Sequence, residues 1–369
     1  MQAYFKTEEL TVGYGDKPLI RDICISLEKG KILTLIGPNG AGKSTILKSI
    51  SKQLKPLAGT VYVGKQELSI WPTKRMAKSV SVVLTDRVRP ELMSCAEVVA
   101  MGRYPYTNFL GQLTAGDRAA VQEALALVHA LDLSDQDFST LSDGQRQRIL
   151  LARAICQEPE VMILDAPTAY LDIRHKMELL AILRNMARDK QVTVILSLHE
   201  IDLAMKLSDY LLCVKGETIS AFGTPEEILR KHTIEGLYDL RDGAYNGLFG
   251  SVELEKPKGE PEIFIIAGGG FGIPLYRAMQ KQSRPFATGI LFENDVDYQV
   301  AKELSDHVVS TPAFLTVSEE LYSIAESILE KCTLVLDAGT PIGDFNQVNA
   351  RLLALAKEKG IPISQSISW

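Results

Sequence analysis

The chain has 369 residues, 46% apolar and 23% charged, the balance of a globular protein with room for two domains and a sizeable core. Its 40 basic and 46 acidic residues leave a net charge of −6, which argues against broad nucleic-acid binding, a function that leaves a basic footprint. Five scattered cysteines, Cys24, Cys95, Cys156, Cys213 and Cys332, fall at no metal-ligand spacing and read as thiols of a reducing compartment. The opening MQAYFKTEEL lacks the pattern of a signal peptide. No apolar run approaches the ~20 residues that span a bilayer, so work at a membrane requires docking onto a partner that crosses it.

Taken in chain order, LTVGYGDKPLIRDICISLEKG reads as antiparallel strands joined at GYGDKP. KILTLIG (31–37) is a short apolar run closed by glycine, as a buried strand is. DRAAVQEALALVHAL (117–131) carries apolar residues at helical spacing, and VMILDAP (161–167) and VTVILSLH (192–199) read as further buried strands. Strands alternating with helices predict an α/β domain over 1–254 with a largely parallel core sheet. EKPKGEP (255–261) is polar, with two prolines and a glycine, and reads as a linker. The pattern then restarts. EIFIIAGGGFG is a strand running into a glycine turn, PLYRAMQKQ a helix, ATGILF a strand and VSEELYSIAESILEK a helix. CTLVLDAGT is a strand, FNQVNARLLALAKEKG a helix and IPISQSI a closing strand. The expectation is a small Rossmann-like α/β accessory domain at 262–369, a regulatory or dimer-stabilising appendage.

Four segments carry chemistry. G-x-x-x-x-G-K-[ST] is matched from Gly37 through Gly40, Gly42 and Lys43 to Ser44, between a strand and a helix. Glycines let the backbone turn its N–H groups toward phosphates, and the helix adds its positive end. Lys43 supplies a point charge for phosphate and Ser44 a hydroxyl for Mg²⁺. LSDGQRQR (141–148) puts Ser142 and Gly144 at a helix start, where they serve as a cap or an anion site. Asp165 ends an apolar strand, where a carboxylate can hold Mg²⁺. His199 ends the next one; alone, a strand-end histidine is more often structural.

In this order the segments resemble the ATP-binding cassette (ABC) family over about the first 250 residues. The resemblance implies a RecA-like P-loop core with an antiparallel β subdomain and a helical subdomain. It implies a homodimer paired head to tail. ATP then lies between Gly37, Asn39, Gly40, Ala41, Gly42, Lys43, Ser44 and Thr45 of one copy and Ser142, Gly144 and Gln145 of the other. Asp172 matches the D-loop at the dimer contact, His199 the switch histidine at the γ-phosphate, and Tyr14 the aromatic that stacks on adenine. Mg²⁺ falls to Ser44, Asp165 and Asp86.

SCAEVVAMGRYPY (94–106) resembles the segment that importers of iron-siderophores, haem and vitamin B12 place near the membrane-subunit contact. The implied partners are two copies of a permease subunit and, indirectly, a substrate-binding protein, at the cytoplasmic face of the cell membrane. The competing expectation is a soluble cassette ATPase of translation or DNA repair. One phosphate loop, no long coiled-coil insertion and the acidic balance disfavour it, and no nucleic-acid partner is expected.

Three positions depart from the family pattern. Ala166 stands where the family has its catalytic glutamate, and a methyl group cannot polarise water. With every other catalytic element intact, an introduced substitution is favoured over a natural one, and slow hydrolysis is expected. Asp86 stands at or beside the Q-loop glutamine, able to ligate Mg²⁺ but weak as a base. Asp143 replaces the commoner glycine of the signature, with little effect expected. In the second domain, AGGGFG (267–272) with Glu293 downstream gives only part of a dinucleotide fingerprint and reads first as a close-packed turn. Asp337 and AGTPIGDFN (338–346) form a second loop at the same sheet edge.

Overall fold

Strands β3 (Ile32–Ile36), β7 (Val161–Leu164) and β8 (Thr193–Ser197) are buried at every position, as strands covered on both faces must be. Around them the computed structural model describes residues 3–84, 92–230, 233–240, 243–247 and 249–365. The chain divides into two compact units, Met1–Tyr238 and Asp239–Trp369.

The first unit opens with the antiparallel strands β1 (Phe5–Tyr14) and β2 (Lys17–Leu27). After β3 come α1 (Lys43–Ile50), β4 (Ala58–Val63), β5 (Gln66–Glu67), α2 (Thr73–Ser79) and β6 (Val80–Val83). Helices α3 (Cys95–Ala100), α4 (Ala115–Leu127) and α5 (Asp143–Cys156) pack on one another and lead into β7. Then follow α6 (Ile173–Asp189), β8, α7 (Ile201–Leu207), β9 (Tyr210–Lys215), β10 (Thr218–Gly223), α8 (Pro225–Arg230) and α9 (Thr233–Tyr238). An antiparallel sheet runs β2-β1-β4-β5, and the core sheet runs β10-β9-β3-β8-β7-β6. All core pairings are parallel except β9 with β10 at the edge. The expected α/β class, antiparallel layer and helical part are all present.

The second unit begins with a hairpin of β11 (Gly243–Asn246) and β12 (Ser251–Leu254). It continues β13 (Ile263–Ile266), α10 (Ile273–Lys281), β14 (Phe286–Phe292), α11 (Val296–Leu304), β15 (His307–Thr311), α12 (Glu319–Leu329), β16 (Leu334–Asp337), α13 (Gln347–Glu358) and β17 (Ile363–Ser364). The sheet is parallel, in the order β15-β14-β13-β16-β17. The division falls ahead of the expected linker at 255–261. The hairpin is tied to the second unit by Asn246 Nδ2 to Gln299 O at 2.8 Å, Arg277 to Glu253 at 2.8 Å and Gln280 Nε2 to Leu254 O at 2.6 Å. Helix α11 and strand β15 are additions to the elements read from sequence.

The GRYPY segment is folded around its arginine. Arg103 is buried, donates to Asp117 and Glu158 at 2.8 Å each and to Cys156 O at 3.0 Å, and stacks 4.0 Å over Tyr106. Tyr104 faces solvent. Thr114, then Arg103, hold the Asp117 carboxyl down to about 2. A depressed carboxyl stabilises the fold above its unfolded value of ~3.9 and loses that contribution as pH falls toward the folded value. Thermal melting should therefore fall between about pH 4 and pH 2. Asp117→Asn should melt lower at neutral pH and fall less steeply in that window, as followed by circular dichroism.

Candidate nucleotide site

The phosphate loop leaves β3 at Gly37 and enters α1 at Lys43. Gly37 has φ 147° and a Cβ there would lie 2.2 Å from Val214 O; Gly42 has φ 94° and a Cβ would lie 2.7 Å from the Ile20 side chain. Both positions exclude other residues by backbone and by space. The Gly37 N–H donates to the Tyr238 hydroxyl at 3.1 Å. Lys43 is buried inside the loop, donating to Gly37 O at 2.7 Å and Pro38 O at 2.8 Å. Burial lowers its ammonium pKa, while Asp165 raises it. Asn39, Gly40 and Ser44 are exposed on the same loop. Tyr14, at the end of β1, receives a hydrogen bond from Thr45 Oγ1 at 3.4 Å and is otherwise exposed.

Asp165 leaves β7 almost fully buried. Its Oδ1 accepts from Ser197 Oγ at 2.6 Å, and that hydroxyl in turn accepts from Ala166 N–H at 2.8 Å. Ser197 thus fixes the Asp165 carboxylate and the following peptide together. Sequence reading passed over Ser197; the signal was a hydroxyl at the end of an otherwise apolar strand. Ala166 sits at φ 46° with its methyl group buried. Beyond it, Thr168 Oγ1 donates to Glu200 at 2.9 Å, and Lys176 pairs with the same carboxylate. His199, beside Glu200, is exposed. Asp86 lies outside the described residues.

The signature segment starts α5. Ser142 Oγ accepts from Gln145 N at 3.3 Å while Gln145 Oε1 accepts from Ser142 N at 3.0 Å, a reciprocal cap. A Cβ at Gly144 would lie 3.4 Å from Leu171, so the signature helix starts against the D-loop. There Asp172 caps α6 by accepting from His175 N at 2.9 Å. Signature and D-loop residues line one open cavity. Asp143 pairs with Arg146 at 3.2 Å, a local contact that leaves Ser142 and Gly144 in place.

The glycine turn of the second unit has a different content. Asp297, fully buried in α11, accepts from Gly268 N at 2.8 Å, from Gly272 N at 3.0 and 3.1 Å and from Ile273 N at 3.1 Å. Asp295 accepts from Gly269 N at 2.8 Å. The N–H groups that would cradle a dinucleotide phosphate are occupied by the chain's own carboxylates, and the close-packed reading of AGGGFG accounts for the turn. Burial pushes the Asp297 carboxyl up, and the N–H bonds pull it down.

A glycine loop around a buried lysine, facing a buried strand-end aspartate in a parallel sheet, defines a P-loop nucleotide-binding domain. The family model of the ABC transporter matches residues 20–169, and the MJ0874 family model matches residues 286–365. An ABC transporter ATP-binding protein of Methanocaldococcus jannaschii, itself uncharacterised, is 41% identical over 287 residues, covering 78% of this chain and 99% of that protein. A siderophore transport ATP-binding protein of Bacillus subtilis is 35% identical over 234 residues, 63% of this chain and 85% of that protein. A cobalamin import ATP-binding protein of Halobacterium salinarum is 29% identical over 317 residues, 84% of this chain and 79% of that protein. A metal-chelate-type ABC transporter solved in an inward-facing conformation superposes with a TM-score of 0.56 at 27% identity, covering 64% of this chain and 89% of that one. The chain belongs to the ABC transporter ATP-binding proteins and is an ABC-type ATPase.

Asp297→Ala leaves a group of buried N–H donors unpaired and should lower stability by about 3 kcal/mol. Asp297→Asn, which keeps one acceptor oxygen, should lose less. Chemical denaturation of the full chain measures both.

Proposed function

We propose that this chain energises import of a metal chelate (an iron-siderophore, haem or cobalamin) through a membrane permease. The observation that carries the reading is the ordered set of Lys43, Ser142, Asp165 and His199 in one cassette whose relatives are importer subunits. Two copies pair head to tail, so that each signature helix faces the other copy's phosphate loop. They bind two permease subunits at the cytoplasmic face of the membrane, and a substrate-binding protein is reached only through the permease. Among the described residues no helix is long and apolar enough to cross a membrane, in keeping with docking onto a permease.

The donor set suits Mg²⁺. The Ser44 hydroxyl and Asp165 carboxylate are hard oxygen donors, with Asp86 a third beyond the described residues. Bound Mg²⁺ would offset charge on the phosphates. Lys43 binds the phosphates, Tyr14 supports adenine, and His199 reaches the γ-phosphate. Ser197 aims the Asp165 carboxylate. Ala166 offers no proton acceptor, so this chain holds ATP longer than it takes most cassettes to hydrolyse it, and the ATP-bound dimer persists.

Purification from native membranes tests the importer reading: co-purification with a polytopic permease is expected, and stable association with ribosomes or DNA instead would overturn it. Single-turnover hydrolysis by Ala166→Glu should exceed that of the present chain by ~10²–10⁴; equal rates would remove the role given to Ala166. Ser197→Ala should raise the Mg²⁺ concentration needed for half-maximal ATP binding about tenfold, read by fluorescent-nucleotide titration, with Ser197→Thr close to the parent.

A further inference from the structure

Four loops crown the carboxyl ends of β13, β14, β15 and β16, at 267–272, 293–295, 312–318 and 338–346. They carry Phe271, Phe314, Leu315, Ile342 and Phe345 exposed to solvent, with Phe314 and Phe345 each 90% exposed. Glu293, Asp295 and Asp344 lie on the same loops, which contain no lysine, arginine or histidine. Arg351, in the second turn of α13, is tied to Glu319 at 2.8 and 2.9 Å and does not neutralise them. Exposed apolar side chains gathered at one sheet edge mark an interaction surface. Phe314 is also held at φ 64°, rare for a bulky residue. An exposed aromatic ring on a left-handed backbone recurs at Tyr170, φ 64° and 75% exposed, on the D-loop, which the family resemblance puts at the dimer contact.

The chemistry of this edge narrows its occupant. Phosphates and nucleic acid are disfavoured, because the loop N–H groups already hold Asp297 and Asp295 and the remaining charges are acidic. A second copy docking through the same face would set like charges against each other. Phe314 and Phe345, each 90% exposed, suit contact with a protein surface better than the walls of a small-molecule pocket. A basic segment with apolar anchors complements the face in both respects. Cytoplasmic loops of membrane proteins carry an excess of lysine and arginine.

We propose that the carboxyl edge of the second unit docks a basic, apolar cytoplasmic segment of the permease subunit, with Phe314 and Phe345 as its anchors. This inference rests on the importer reading. The test places the photo-crosslinker p-benzoylphenylalanine at position 314 of the full chain, expressed in its native membranes. Adducts are mapped by mass spectrometry. An adduct to a lysine- and arginine-rich cytoplasmic segment of the permease is expected. Its yield should fall at least about threefold between low and high salt. It should fall at least as far in Glu293→Lys/Asp344→Lys, two exposed sites, with the melting temperature of the variant measured to show that the fold is kept. Adducts confined to a second copy, or none while the chain still co-purifies with the permease, would overturn the docking and leave the importer reading standing. A yield indifferent to salt and charge reversal would overturn it too. Failure to co-purify with any permease would overturn both.

Discussion

Parallel pairing of β3 with β8, from Ile32↔Val194 to Leu35↔Ser197, and of β8 with β7 brings the phosphate loop, Ser197 and Asp165 to one edge of a sheet. The register decides the chemistry. Because Leu164 pairs with Leu196, the next residue on each strand, Asp165 and Ser197, can meet at 2.6 Å. A shift of one residue would turn each side chain to the other face of the sheet. The apolar burial that holds these strands in place therefore also sets where the Asp165 carboxylate stands.

The same architecture occurs in the second unit with the opposite electrostatic outcome. Both units run a central strand into a glycine turn and a helix. In the first, the turn encloses the Lys43 ammonium, which donates to Gly37 O and Pro38 O. In the second, the turn closes on the Asp297 carboxylate supplied by the helix after the next strand. A glycine turn is a backbone solution for bringing N–H groups together; what they hold is set elsewhere in the chain.

That contrast explains how much could be read from the residues alone. The phosphate loop was legible because its glycines, Lys43 and Ser44 stand at fixed spacing within one short segment, although the neighbours that crowd Gly37 and Gly42, Val214 and Ile20, come from elsewhere in the chain. Asp165 was legible because an apolar run carried it to a strand end. The Ser197 bridge was hidden, since its partners lie 31 and 32 residues away in sequence. The Asp297 contacts were hidden for the same reason, spanning 24 to 29 residues. Helix α11 has Val300, Ala301 and Leu304 on one buried face, a short amphipathic pattern overshadowed by the longer helix that follows β15. The hairpin at 243–254 has too few residues for its alternation to separate it from the preceding domain.

Because Asp297 is covalently part of the second unit, its glycine turn carries its own acceptor for these N–H groups, independent of any ligand's concentration. The phosphate loop of the first unit has no such guarantee: a folded state that binds nucleotide gains stability with the logarithm of nucleotide concentration. The two halves of this chain therefore answer differently to energy supply. The stability of one rises with nucleotide concentration, while the turn of the other draws its acceptor from its own chain.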